Sequence, residues 1–342
     1  MGKVTWQSPS NIALVKYWGK YENQIPANPS ISFTLNSSYT TTSLSWEAKE
    51  KTDDFSFELF FEGKAEESFK PKIEAYFKRV HHLLPFLSEF HFTIETSNTF
   101  PHSSGIASSA SGLSALSLCM ASLAKSLNIP HDEDFYRFAS TLSRLGSGSA
   151  SRSVYGNLVV WGKHALIENS SDHFAVPYTG EVHPVFENFQ DYILLVDKGE
   201  KKVSSTVGHG LMNNHPYAMK RFEQAHTNLN KLKSILAEGD LEAFGNLVES
   251  EALTLHGMML TSNPYFILMK PNTLRIIEEI WAFREETKTP VYFTLDAGAN
   301  VHMLFPEMVK NKVDTFAQTK LVGLCKDEEY ICDQIGNGPK QL

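Results

Sequence analysis

Phe100-Pro-His-Ser-Ser-Gly-Ile-Ala-Ser-Ser-Ala-Ser-Gly112 joins an alternating strand to an apolar helix through a loop of very small residues. Phe90, Phe92 and Ile94 alternate with His91, Thr93 and Glu95, which is strand period two, and Leu113, Leu116, Leu118 and Leu123 mark a buried helix from Ser109 onward. The free N–H groups and positive dipole end of that helix favour an anion, and Gly105 lets an oxygen come close to the backbone. Ser97, Asn98, Ser103, Ser104, Gly105, Ile106, Ala107, Ser108 and Ser109 are therefore candidates to cradle phosphate. A Ser-rich turn that merely caps the helix is the local alternative. The loop has neither the Gly-Lys-Ser/Thr ending of a Walker A element nor the G-x-G-x-x-G spacing of a dinucleotide turn, so neither class follows from it.

Three further segments bring charge to the same kind of chemistry. Asn11-Ile-Ala-Leu-Val-Lys-Tyr-Trp-Gly-Lys20 places Lys16 and Lys20 among aromatics at the end of an apolar strand, where a lysine reaches either a cleft or open solvent. The Gly/Ser loop from Leu142 to Gly156 delivers Arg152, whose planar guanidinium can grip a carboxylate or phosphate through two parallel hydrogen bonds, unless it is an ordinary surface arginine. Phe293-Thr-Leu-Asp-Ala-Gly-Ala-Asn300 puts Asp296 at a tight turn between apolar strands. There it serves as a general base or orienting carboxylate, or else caps backbone N–H groups as an Asx turn. Val203-Ser-Ser-Thr-Val-Gly208 adds Ser205 as one more hydroxyl. His81, His82, His209 and His256 have no metal-spaced partners and read as structural histidines. Met258-Met259 and residues 266–269 read as core. No Gly-x-Ser-x-Gly elbow supports a serine hydrolase.

These loops need elements to hold them. Strand signals run through 40–46 and 55–61, and helical spacing through 70–84, 107–127 and 132–145. After a polar loop at 168–173 comes a short apolar strand at 192–196. Helices follow at 216–238, 241–256 and 272–287, then a strand at 291–295, a return at 301–305, and a last helix and strand. Strands and helices mix without strict βαβ alternation, so the expected class is α+β, with a boundary near 185 dividing a lobe 1–185 from a lobe 186–342.

A chain of 342 residues with 42% hydrophobic and 20% charged residues builds full cores without staples. The net charge of −8 argues against nucleic acid and anionic membranes, so an anionic ligand needs a local cationic cluster. Cys119, Cys325 and Cys332 are few and unclustered, which fits a reducing cytoplasm and no zinc site. Neither a signal segment nor an apolar run of membrane-spanning length is present.

The motif Pro-x-x-x-Gly-Ile-Ala-Ser-Ser-Ala resembles the phosphate loop of the GHMP kinase superfamily. In chain order, Asn-Ile-Ala-x-x-Lys-Tyr-Trp-Gly-Lys, Gly-Ser-Gly-Ser-Ala-x-Arg-Ser-x-Tyr-Gly and Asp-Ala-Gly-x-Asn resemble the diphosphomevalonate decarboxylase family within it, over residues 8–305. The resemblance implies a two-lobed GHMP fold, with a ribosomal protein S5 domain 2-like N-terminal lobe and a GHMP C-terminal lobe. It also implies conversion of mevalonate 5-diphosphate and ATP, with Mg²⁺, to isopentenyl diphosphate, ADP, phosphate and carbon dioxide in isoprenoid biosynthesis. By the same resemblance Asp296 orients or deprotonates the tertiary hydroxyl beside Lys16, and Arg152 holds the carboxylate. Asn11, Tyr17, Lys20, Ser147, Gly148, Ser149 and Ser205 line the substrate, residues 103–109 cradle ATP, Ser109 is the candidate metal contact, and a homodimer is the implied assembly. The chain departs from the pattern at Ala299, where proline is usual, at His102-Ser-Ser104, where Thr-Ala-Ala is usual, and at Thr206, where some relatives carry arginine. Sister activities, a mevalonate 3-kinase or a phosphomevalonate decarboxylase, are the rival readings, and Lys16, Lys20 and Asp296 together weigh against both. A catalytically silent nucleotide-binding protein is the non-enzyme alternative.

Overall fold

The computed structural model describes residues 2–52, 54–101, 108–129, 134–199 and 205–342. In chain order the elements are β1 Gly2–Val15, β2 Ser30–Ala48, β3 Ser56–Phe61, β4 Lys64–Ala65, α1 Lys70–Val80, β5 Phe90–Asn98, α2 Ser108–Ser126, α3 Phe135–Gly146, β6 Leu158–Trp161 and β7 Ala175–Pro177. They continue as β8 Gln190–Leu194, α4 Ser205–Gly210, α5 Ala218–Glu238, α6 Leu241–Leu260, α7 Pro271–Thr287, β9 Tyr292–Thr294, β10 Val301–Phe305, α8 Lys310–Phe316, β11 Tyr330–Gln334 and β12 Lys340–Gln341.

The first sheet has the order β12-β1-β2-β5-β3-β4, with β6 on β2 and β7 on β6. Against it α2 is buried almost all round, which the sequence achieves with small residues. Its inward serines are each satisfied: Ser111 by Thr40 at 2.6 Å, Ser114 by Ser8 at 2.7 Å and Ser117 by Tyr76 at 2.9 Å. Hydroxyl pairing of this kind lets a polar helix enter a core without orphaned groups. Val80, Leu84, Phe92, Leu116 and Leu142 fill the space between sheet and helices.

The second sheet, β11-β8-β10-β9, is antiparallel. One face packs Tyr192, Phe293, Met303 and Phe305 with Ile276, Ile280 and Phe316 of α7 and α8. The other face meets Leu229, Leu232 and Val248 of α5 and α6, and the same core takes in Ile12 and Leu14 of β1 and Ile31 and Phe33 of β2. The α5–α6 layer thus joins the two sheets. Gly239, at φ 76°, ends α5, and Asp240 caps α6 by accepting from the Ala243 N–H. The chain closes by returning to the first sheet, where Gln341 pairs with Trp6. This is the two-lobed α+β architecture expected from the element pattern. Long α2 and α5 to α7 follow the expected spans closely. Expected helix 70–84 stops at Val80, because Pro85 opens a separate short turn. Among the described residues no helix is long and apolar enough to cross a membrane.

Candidate active site

β1 carries two register shifts against β2, between Pro9 and Asn11 and between Ala13 and Val15, just before it delivers Lys16. Such bulges bend and twist a strand end and re-aim its side chains. Lys16 leaves the strand buried, and its Nζ lies 3.1 Å from Asp296 Oδ1. Burial pulls the lysine below its ordinary pKa, while Asp296 and then Glu251 oppose that fall. The Asp296 side chain keeps 27% of its surface exposed, so the carboxylate faces both the ammonium and an opening.

The Asp296 loop is tied at four points. The Asp296 carbonyl accepts from Gly298 N–H at 2.7 Å and from His256 Nε2 at 3.1 Å. Thr273 Oγ1 donates to the Ala299 carbonyl at 2.6 Å, and Asn300 exchanges two hydrogen bonds with the Asp197 backbone, 2.8 and 3.0 Å. Ala299 is thus anchored through its own carbonyl. His256 is buried, and that burial pushes its pKa down to about 4, so it is a neutral donor at neutral pH.

Arg152 arises from the one-turn segment Gly148–Val154 that follows α3. Its guanidinium is buried and donates to Ser30 Oγ at 2.6 Å, Ser32 Oγ at 2.9 Å and Asn11 Oδ1 at 3.3 Å. Asn11 is itself held by Ser153 Oγ at 2.8 Å and the Ser149 carbonyl at 3.2 Å. Burial lowers the Arg152 pKa to about 10, opposed by Asp296 and Tyr17, so it stays cationic at neutral pH. Tyr17 packs edge-on to Trp161 and against the His209 ring, with centroids at 4.7 and 4.2 Å. Among the described residues the Tyr17 hydroxyl is buried with no hydrogen-bond partner. A Cβ on Gly148 would fall 2.6 Å from the Trp161 ring and 2.8 Å from that hydroxyl, so only glycine fits there. His209 Nδ1 accepts from Gly19 N–H at 3.0 Å, and burial, with Lys20 and Arg152 adding to it, drives its pKa to about 3. Lys20 donates to Gln24 Oε1 at 2.7 Å, and burial followed by Arg79 holds its pKa below the usual lysine range.

Of the sequence-singled residues, Lys16, Asp296, Arg152, Asn11, Tyr17 and Gly148 form one connected group, with Lys20 reporting to it through His209. Ser147 and Ser149 are half-buried beside Gly148. At the start of α2, Ser109 Oγ accepts from Lys72 Nζ at 2.9 Å. Ser97 and Asn98 end β5, and the Asn98 carboxamide is engaged by Thr40 at 2.7 Å. Ser103, Ser104, Gly105, Ile106 and Ala107 lie outside the described residues, as does the side chain of Ser205. Residues that the sequence motifs did not mark are Ser30, Ser32, Trp161, Arg221 and Glu251, whereas His209 and His256, expected as structural histidines, stand within the site as neutral buried groups. The alternation Ser30-Ile-Ser-Phe-Thr34, with every polar member buried, was a signal available in the sequence. Nothing in the sequence near His209 distinguishes it.

Residues 8–174 match the diphosphomevalonate decarboxylase-like N-terminal domain, and residues 192–341 match the mevalonate 5-diphosphate decarboxylase C-terminal domain. The diphosphomevalonate decarboxylase of Debaryomyces hansenii is 30% identical over 90% of this chain and 80% of its own length. The chain belongs to the diphosphomevalonate decarboxylase family. The Staphylococcus aureus mevalonate diphosphate decarboxylase superposes with a TM-score of 0.84 at 27% identity, covering 99% of this chain and 98% of that one. A structure described as MDDEF in complex with MVAPP, AMPPCP and magnesium has the same TM-score at 26% identity and the same coverage of both chains. In this family context the fold is the two-lobed GHMP kinase fold, and the Lys16, Asp296 and Arg152 group lies where its two lobes meet.

Proposed function

We propose that the protein catalyses the ATP-dependent decarboxylation of mevalonate 5-diphosphate to isopentenyl diphosphate, ADP, phosphate and carbon dioxide. The observation that carries this reading is the spacing of opposite charges in one buried seam: a carboxylate paired with Lys16 beside a separate, desolvated Arg152. Membership of the decarboxylase family and the MVAPP, AMPPCP and magnesium bound in a relative of the same fold support it.

The groups framing the phosphate loop suit a polyphosphate: the N-terminus of a 19-residue helix, the Ser109 hydroxyl and the Lys72 ammonium 2.9 Å from it. Among the described residues no group of three or more His, Cys, Asp or Glu could hold a metal ion, so Mg²⁺ fits as a partner of the nucleotide phosphates, with Ser109 as the protein hydroxyl beside it. Magnesium-bound ATP supplies the phosphoryl group and neutralises charge on it. The substrate carboxylate fits the Arg152 fork, already aimed by Ser30, Ser32 and Asn11. The orphaned Tyr17 hydroxyl gains its missing partner from a diphosphate oxygen, together with Lys20 and the Ser147 to Ser149 turn. Asp296 accepts the proton of the tertiary hydroxyl, its charge compensated by Lys16, and the C3 oxygen bonds to the γ-phosphorus of ATP while ADP leaves with the electrons of the broken P–O bond. Once C3 carries phosphate, that group leaves with the C3–O electron pair. The C1–C2 pair becomes the new double bond between C2 and C3, and carbon dioxide is released. Arg152 fixes the carboxylate in the plane that lets those electrons align.

A cytoplasmic homodimer completes the reading. Cys119, Cys325 and Cys332 are free thiols, as a reducing compartment maintains, and Met219, Tyr265 and Ile267 offer exposed apolar surface. The test supplies mevalonate 5-diphosphate, the 5-monophosphate and mevalonate separately with ATP and Mg²⁺. Turnover should fall in that order, because each lost phosphate leaves cationic and hydroxyl donors unpaired. Faster turnover of the monophosphate would reassign the protein to the sister decarboxylase.

A further inference from the structure

We propose that Glu251 and Arg221 form a positioning device for Lys16, fixing its main chain at the lobe junction and supporting the charge on its ammonium. The inference deepens the decarboxylase reading and rests on it for the partnership of Lys16 with Asp296. β1 ends at Val15, so Lys16 is the first residue whose backbone no longer belongs to the sheet. Its N–H donates to Glu251 Oε2 at 2.9 Å, and its carbonyl accepts from Arg221 Nη2 at 3.0 Å and from Asn28 Nδ2 at 2.9 Å. The Glu251 carboxylate also takes both Arg221 terminal nitrogens, at 2.9 and 2.5 Å, and Asn228 Nδ2 at 2.6 Å. Arg221 belongs to α5 and Glu251 to α6, and both side chains are fully buried. The C-terminal lobe therefore holds the peptide of an N-terminal-lobe residue whose side chain returns to Asp296 in the C-terminal lobe.

Stability alone does not account for the pair. Two charges taken fully out of water gain little over apolar residues of equal volume, so a buried ion pair needs another reason to be there. Here the charges alternate from neighbour to neighbour: Arg221 positive, Glu251 negative, Lys16 positive, Asp296 negative, with the positive Arg152 bearing on Asp296. The groups whose charge bears on Lys16 are Asp296, Glu251 and Arg152, with Arg221 on its carbonyl; Asp191 and His256 in turn sense the lysine. Glu251 is the second carboxylate, after Asp296, whose charge opposes the fall that burial imposes on the Lys16 ammonium, and its own pairing with Arg221 tempers that charge.

That arrangement predicts effects of opposite sign. Glu251→Gln removes the supporting charge and leaves Arg221 unpaired, so Lys16 should lose its proton at lower pH than in the parent. Arg221→Gln leaves the Glu251 charge without its partner cation, with only the neutral Asn228 amide and the Lys16 side to meet it, so the lysine should lose its proton at higher pH. The titration is read directly by ¹³C NMR of protein grown with ε-carbon-labelled lysine, the Lys16 line being assigned by its loss in Lys16→Met. The alkaline limb of kcat/KM should move in the same two directions, with about a tenfold loss for Glu251→Gln at pH 9. The double variant Arg221→Met, Glu251→Gln carries no unpaired charge and keeps the test open if a single variant fails to fold; its Lys16 titration should lie between those of the two single variants. Unchanged titration, or shifts in the same direction for both single variants, would overturn the proposal in favour of plain packing. A parent that releases no carbon dioxide from mevalonate 5-diphosphate overturns the decarboxylase reading, and the NMR comparison then still decides this one.

Discussion

Asp296 and Lys16 meet across 280 positions of sequence, and each is intelligible only through the other. A fully buried lysine needs a counter-charge, and a carboxylate at a seam keeps its orientation only if something holds it. Asp296→Asn preserves shape and removes the charge, so turnover should fall by roughly a hundredfold to ten-thousandfold, the contribution of a positioned acid–base group. Isothermal titration with substrate and a non-hydrolysable nucleotide should show both still bound, and near-parental kcat would remove Asp296 from the chemistry. Arg152→Lys exchanges a fork for a point charge while keeping the sign. Nε and Nη1 of one rigid plane now meet Ser32, Asn11 and Ser30, and a compact ammonium cannot hold these partners and a carboxylate in the same fixed geometry, so kcat/KM should drop by at least about tenfold, with nucleotide affinity unchanged. An unaltered kcat/KM would mean that the carboxylate is held elsewhere.

Helices with a clear apolar period, α5 to α7, were legible in the sequence within a few residues, and β10 at residues 301–305 was legible to the residue. Local periodicity decides such elements. The 14-residue β1 and 19-residue β2 were less legible, because their pairing partners lie far away in sequence and their bulges interrupt the alternation. The same holds for the site: Lys16, Arg152 and Asp296 stood out by motif, whereas His209, His256, Arg221 and Glu251 look like ordinary helix residues until the lobes close around them. β2 is the exception, since its buried serines repeat at period two. Each of those serines satisfies a guanidinium that has no water to turn to. Ser30→Ala should therefore cost about 1–3 kcal/mol of stability, the penalty for one unsatisfied buried donor. Urea denaturation would show this as a lower midpoint, and an unchanged midpoint would mean that the Ser30 contact contributes nothing.

At the scale of the molecule, the two lobes share a seam lined with neutral buried histidines, and this makes the fold sensitive to acid. His209 and His256 are held near 3 and 4, whereas in the unfolded chain both titrate at their ordinary 6.5. Near pH 5 the unfolded state thus binds close to two more protons than the folded one, and fewer towards about pH 6 and pH 4. Stability is full above pH 6.5 and is lost as pH falls, by about 3 kcal/mol per unit for the pair. Chemical denaturation across that range should show the slope, and His256→Gln should make it shallower; a slope that His256→Gln leaves unchanged would exclude that histidine. The central claim, that one seam both phosphorylates the tertiary hydroxyl and commits the product to lose its carboxylate, has its own direct measurement. Mevalonate 5-diphosphate labelled at the carboxyl carbon is turned over with ATP and Mg²⁺, and ADP and labelled carbon dioxide are counted in the same reaction. The account predicts equal amounts throughout the time course, and ADP accumulating without carbon dioxide would contradict it and make the protein a kinase.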